Sequence, residues 1–110
     1  MPANLHKGSL FHADYAKIVR DLCEVNPGAA ERFCEAVERA LKLLAAHPQL
    51  GSKAGFRHAP QVRKWVLQKF PNYVLFYEDR PDGVLVIRLL YGARDLPSLI
   101  PPSQPDPFVG

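Results

Sequence analysis

Between Glu38 and Glu78 this 110-residue chain contains no acidic residue. Its other scarcities also narrow what it can be. Its two cysteines, Cys23 and Cys34, form no CxxC pair, and His6, His12, His47 and His58 are scattered without an HExxH or a Cys/His cluster. That argues against a disulfide framework, a metal centre and a bound cofactor. Both thiols are expected to be buried on helices as small hydrophobes. No apolar run approaches the length of a membrane span, so no membrane partner is expected. The leading MPANLHKGSLFHADY has neither a long apolar core nor a small-residue cleavage site. No export signal is read there, and a cytoplasmic location follows as the expectation.

What is present is the composition of one ordinary globular domain, long enough to bury a core of its own. The net charge of +3 is mild. Its distribution is not, because the acid-free segment carries Arg39, Lys42, Lys53, Arg57, Arg63, Lys64 and Lys69. Any one of these can be a plain solvated group. Together they form a candidate basic face for an anionic partner, either nucleic acid or an acidic protein segment.

Periodicity orders the elements. Residues 8–12 (GSLFH) are read as a short first strand. From Ala13 to about Val25, the residues Tyr15, Ile18, Val19, Leu22 and Val25 recur at three- and four-residue steps, which predicts a helix with one buried face. Asn26 is a good N-cap and Pro27 is tolerated at the first helical position, so a second helix is predicted from Pro27 to about Ala46. Its inner face is Ala30, Phe33, Val37, Ala40, Leu41 and Leu44. His47-Pro48 ends it, since the residue before a proline is pushed out of the helical region. The short break makes the two helices a hairpin.

Three strands follow: 62–70, 73–79 and 84–91, joined at Pro71-Asn72 and at Pro81-Asp82-Gly83. In the first, Trp65, Leu67 and Lys69 are expected on one face, and Val66, Gln68 and Phe70 on the other. The last, VLVIRLLY, is apolar except for Arg88, which must lie on an open face or be held by Asp14, Asp21 or Asp95. Gly92 is expected at positive φ, with Asp95 capping a short turn from Leu96 to Ile100. The predicted fold is α+β, a two-helix hairpin on a small, mainly antiparallel sheet of about four strands. One domain spans residues 1–100, and the proline-rich tail 101–110 is expected to be extended or disordered.

Three motifs in this order, HPQLG at 47–51, VLQKFPNYVLFYE at 66–78 and VIRLLYGARDL at 86–96, resemble the RelE/ParE superfamily of bacterial toxins, and its ParE branch most closely. The resemblance covers about residues 9–100. It implies a toxin of a type II toxin–antitoxin module, neutralised by a cognate antitoxin encoded beside it. The antitoxin's C-terminal segment would pack apolar side chains into grooves and acidic ones onto the basic face. Two activities occur on this fold, and fold alone does not select between them. ParE-like members bind DNA gyrase and need no active site. RelE-like members are ribosome-dependent endoribonucleases that cut mRNA, which requires activation of a 2′-hydroxyl, protonation of the leaving oxygen and cations for the developing charge.

Carried over by residue, the ribonuclease set is incomplete. Arg94 matches the arginine after the strand-ending glycine. Val74 stands where an arginine would follow the tyrosine of the middle strand, and Leu99 or Ile100 where a tyrosine is expected. If the chain is a ribonuclease, its candidates are Arg94, Lys64, Lys69, Arg57, Arg63 and Tyr91, the last standing where ParE-like sequences often have histidine. As a binding toxin, its candidate contacts are Lys53, Arg57, Arg63, Lys64, Lys69, Arg88 and Arg94. A third alternative is a non-toxic remnant that only binds its antitoxin.

Overall fold

The computed structural model describes residues 4–92 and 96–102. Strand β1 (Leu5–Lys7) is followed by helices α1 (Ser9–Val25) and α2 (Pro27–Ala46). Strands β2 (Ser52–Lys53), β3 (Val62–Val66), β4 (Tyr73–Arg80) and β5 (Gly83–Tyr91) come next, and then the short helix α3 (Leu96–Leu99). The sheet order is β1-β5-β4-β3-β2. All neighbours are antiparallel except β1 and β5, which run parallel with Leu5 opposite Val84 and Lys7 opposite Val86. The α+β class and the helical hairpin on a mainly antiparallel sheet are as predicted; among the described residues the sheet has five strands, against the expected number of about four.

Helix α2 forms where its punctuation says it should. The Asn26 Oδ1 accepts from the Ala29 backbone N–H at 3.1 Å, Pro27 occupies the first turn, and His47 closes the C-terminus. All six predicted inner-face residues are buried.

Helix α1 begins four residues earlier than its predicted start, and GSLFH is not a strand. The Gly8 N–H bonds the Val86 carbonyl at 2.9 Å, which closes the β1–β5 pairing, and the helix starts at Ser9. The physical reason is Phe11. It lies four residues before Tyr15 and seven before Ile18, so it extends the helical stripe by one turn and is buried. At the other end Val25, the last residue of α1, is 85% exposed and does not belong to the buried face. Cys23 is exposed and Cys34 half-buried, so neither is the buried thiol expected.

Two cores lie on opposite faces of the sheet. The larger joins Phe11, Phe33, Val37, Leu41 and Leu44 of the helices to Leu67, Leu75, Tyr77, Val84, Val86 and Leu89. The second face, expected to be open, is partly roofed instead. There Phe56 and Ala59, from the loop after β2, and Ile100 cover Val62, Phe76 and Ile87. Both faces of β4 and β5 are therefore apolar, which is why neither strand alternates cleanly. A β-bulge adds to this: Arg88 faces Phe76 and Val86 faces Tyr77, leaving Ile87 as the extra residue and resetting the alternation.

Strand β3 stops at Val66 rather than Phe70. Lys69 takes a left-handed conformation (φ 71°), so the chain turns before Tyr73 and the two-residue alternation is lost. Phe70 consequently packs edge-on against Phe33, on the helix side, with ring centroids 5.3 Å apart. Gly92 does have the expected positive φ, 76°. Arg94 and Asp95 lie outside the described residues, as do residues 103–110 of the tail.

Candidate functional site

The basic residues do not share one face. Two of them are structural to a large degree. Arg88 donates from Nε to Asp14 Oδ2 at 3.0 Å and from Nη2 to Asp14 Oδ1 at 2.6 Å, and its Nη1 reaches the Leu99 carbonyl at 2.9 Å. Asp14 also accepts from the Leu89 N–H at 3.1 Å, capping the edge of β5 where β1 no longer covers it. The carboxylate raises the Arg88 guanidinium above its ordinary value, against the effect of burial. Of the two predicted partners among the described residues, Asp14 and Asp21, Asp14 is the one used.

Arg63 is likewise engaged, donating to the Gly51 carbonyl at 2.6 Å and the Gln49 carbonyl at 3.3 Å. The Tyr77 hydroxyl completes this clasp: it accepts from the Gly51 N–H and donates to the Pro48 carbonyl, each at 2.8 Å. Burial pushes the Tyr77 phenol up, with the Gly51 N–H and Arg63 opposing. A Cβ on Gly51 would sit 2.6 Å from both the Lys64 carbonyl and the Tyr77 hydroxyl, so this position requires glycine. In this protein HPQLG is a folding clasp between the end of α2 and the sheet. Tyr91 also belongs to the helix side. Its ring meets Tyr73 at 5.0 Å in an edge contact, Tyr73 in turn meets Phe33 at 4.9 Å, and Tyr91 is 66% exposed.

Lys64, Arg57, Lys53 and Lys69 are exposed. Lys64 alternates with Val62 and so lies on the face opposite the helices. Arg57 follows Phe56, whose ring covers Phe76 on that same face at 5.8 Å. Lys53 pairs in register with Arg63 and lies on the edge strand β2. Lys69 lies on the helix side, and there it forms part of something the motifs did not indicate.

A groove of about 570 Å³ runs along the outer flank of α2, between that helix and the end of β3. Ala36, Ala40, Leu43 and Trp65 supply its apolar surface. Arg32, Arg39, Lys42 and Lys69 bring four cations to it, against one carboxylate, Glu35. The acid-free segment had put Arg39, Lys42 and Lys69 in one candidate basic face, but of the groove's residues only Lys69 was a candidate contact. The legible signal was Ala36, Ala40 and Leu43, which recur at four- and three-residue steps beside the inner stripe of α2 and widen its apolar face. That Trp65 would close the groove from a strand more than twenty residues away was not visible in the pattern.

The geometry suits an amphipathic anionic segment: apolar side chains against Trp65 and Leu43, carboxylates toward the rim cations. Among the described residues, the fold does not gather the candidate catalytic groups. Lys64 and Arg57 stand on one face of the sheet, Lys69 and Tyr91 on the other, and Arg63 is held in the clasp.

Comparison with known proteins agrees with this architecture. The family model for the ParE toxin of the type II toxin–antitoxin system parDE matches residues 9–96. Among solved structures, a chain of the chromosomal ParDE toxin–antitoxin system from P. aeruginosa superposes with a TM-score of 0.70 at 15% identity, covering 83% of this chain and 97% of that one. No curated protein matches the chain.

Proposed function

The chain belongs to the ParE toxin family of type II toxin–antitoxin systems, and from that premise we propose that it is a cytoplasmic toxin that arrests growth by binding DNA gyrase. In this reading it cuts no RNA and is held in check by a cognate antitoxin. The observation that carries the binding reading is the dispersal of the cations among the described residues. RNA cleavage requires an acid, a base and charge-stabilising groups within reach of one phosphate. Here Lys64 and Lys69 are on opposite sides of the sheet, Arg63 is committed to Gly51, and Arg88 to Asp14. Val74, where the ribonuclease pattern would place an arginine, pairs between Val66 and Leu90. Protein binding needs no such convergence.

The groove beside α2 is the proposed seat of the antitoxin. Its four cations and apolar surface fit an acidic amphipathic segment, and occupancy would neutralise charge that otherwise repels itself. Trp65 is the chain's one tryptophan, so its emission reports on this groove directly. Expression of the chain alone is expected to stop growth, and co-expression of the antitoxin encoded beside it to restore growth. Titration with the antitoxin's C-terminal segment is expected to shift Trp65 emission with saturation. Unimpaired growth on overexpression would overturn the toxin reading. Rescue of growth without any Trp65 response would move the antitoxin to another surface.

A further inference from the structure

Among the described residues, the face of the sheet opposite the helices is only half roofed. Register places Val66, Val74 and Leu90 side by side across β3, β4 and β5. Val66 is 47% exposed, and Val74 and Leu90 are half-buried. The row continues inward to Phe76 and Ile87, where the loop carrying Phe56 takes over as cover. Three aliphatic side chains in line across β3, β4 and β5 form a partly exposed apolar row continuous with the core beneath the loop.

We infer that this row, flanked by Lys64 and Arg57, is the surface that docks the target protein. Its occupant would be a segment that pairs apolar side chains with carboxylates. The inference rests on the gyrase-binding reading and adds where on the chain that contact is made. Charge selects the occupant. Lys64 stands two residues before Val66 on the same face, opposite Phe76 in register, and Arg57 is exposed beside Phe56. No carboxylate occurs on β3 or on β4 before Glu78, and Glu78 is buried with its Oε2 2.8 Å from Arg80 Nε. A second copy of this chain would bring Lys64 and Arg57 against their own kind, which disfavours self-association. A nucleic acid backbone would find valine and leucine at the centre of the patch, where phosphate contacts call for cations. A protein segment with an apolar centre and an acidic rim matches both features. The row also lies on the side of the sheet away from the α2 groove, so antitoxin and target would use separate surfaces.

The test is the affinity of the full chain for purified gyrase of the same organism, measured by interferometry. Val66→Glu and Lys64→Glu are the variants, each at an exposed position, with thermal midpoints recorded to establish that both fold. Val25→Glu, an equivalent change at an exposed valine on α1, is the control. The inference predicts that Kd rises at least tenfold in Val66→Glu and in Lys64→Glu and stays within twofold in Val25→Glu. Wild-type binding that is unchanged in Val66→Glu overturns the inference and leaves the gyrase reading standing. Absence of wild-type binding overturns both. Gyrase binding unaffected by either variant, alongside retention of a single-stranded RNA oligonucleotide that Lys64→Glu abolishes, would make the face an RNA surface and overturn the inference.

Discussion

Replacing Asp14 with alanine should cost more stability than any other single surface-proximal change in this domain. The carboxylate accepts three hydrogen bonds, two from Arg88 and one from the Leu89 N–H. The Arg88 and Asp14 side chains are 18% and 12% exposed, so neither is freely hydrated. Removing one partner of a buried pair leaves an uncompensated charge and costs about 3–5 kcal/mol. Arg88 keeps its bond to the Leu99 carbonyl and some water, which places the expected loss at the lower end, about 3 kcal/mol. Unfolding entropy of about 2.1 cal/mol/K per residue gives roughly 0.23 kcal/mol/K for this chain, so the melting temperature should fall by about 13 °C. Urea unfolding should show the midpoint falling at constant slope, since the same surface is exposed on unfolding. The double variant Asp14→Ala/Arg88→Met should recover at least half of the loss, because no charge is then stranded. A loss under about 1 kcal/mol, the range of exposed pairs, would refute the reasoning. So would a double variant no more stable than the single.

Three further outcomes follow from the same geometry. Tyr77→Phe leaves the Gly51 N–H and the Pro48 carbonyl unpaired inside the clasp and should cost about 2 kcal/mol in urea unfolding; a loss within error of zero would mean the clasp is not formed. Lys69→Gly relieves a left-handed backbone and should raise the melting temperature by about 4 °C, corresponding to about 1 kcal/mol, while weakening the Trp65-reported binding of an acidic segment. The phenols of Tyr15, Tyr73 and Tyr77 are all pushed up, chiefly by burial. Their folded values lie above the unfolded value of about 10, so the stability they contribute is full below about pH 10 and is lost as pH rises through the folded values. Unfolding free energy should therefore fall by up to about 1.4 kcal/mol per pH unit for each tyrosine above that point, and Tyr15→Phe should remove one share; a profile flat to about pH 12 would contradict the assignment.

The parts of the fold legible in the sequence are those with local punctuation. Asn26-Pro27 and His47-Pro48 bracket α2 because cap chemistry and proline sterics act within a few residues. The short β4–β5 turn at Pro81-Asp82 could be read for the same reason. The errors fall where non-local contacts decide. GSLFH has the composition of a strand, yet Phe11 is claimed by the helix core, and the strand role passes to Leu5–Lys7 through pairing with β5 more than seventy residues away. The run VRKWVLQKF ends early because Lys69 adopts a backbone conformation that no propensity assigns to lysine.

The candidate site was legible as a charge bias and not as a place. The acid-free segment does contribute to both the α2 groove and the uncovered sheet face. Which cation serves which depends on strand alternation, on the bulge at Ile87, and on two arginines whose partners are a distant carboxylate and a turn of backbone carbonyls.

The central claim, a toxin that binds rather than cuts, is tested most directly by titrating the purified chain into a supercoiling assay with gyrase from its own organism. In parallel, mRNA on translating ribosomes is examined by toe-printing. The expected result is dose-dependent loss of supercoiling that the cognate antitoxin reverses, with no new mRNA ends. Full supercoiling at saturating chain, together with codon-phased cuts on the ribosome, would contradict it.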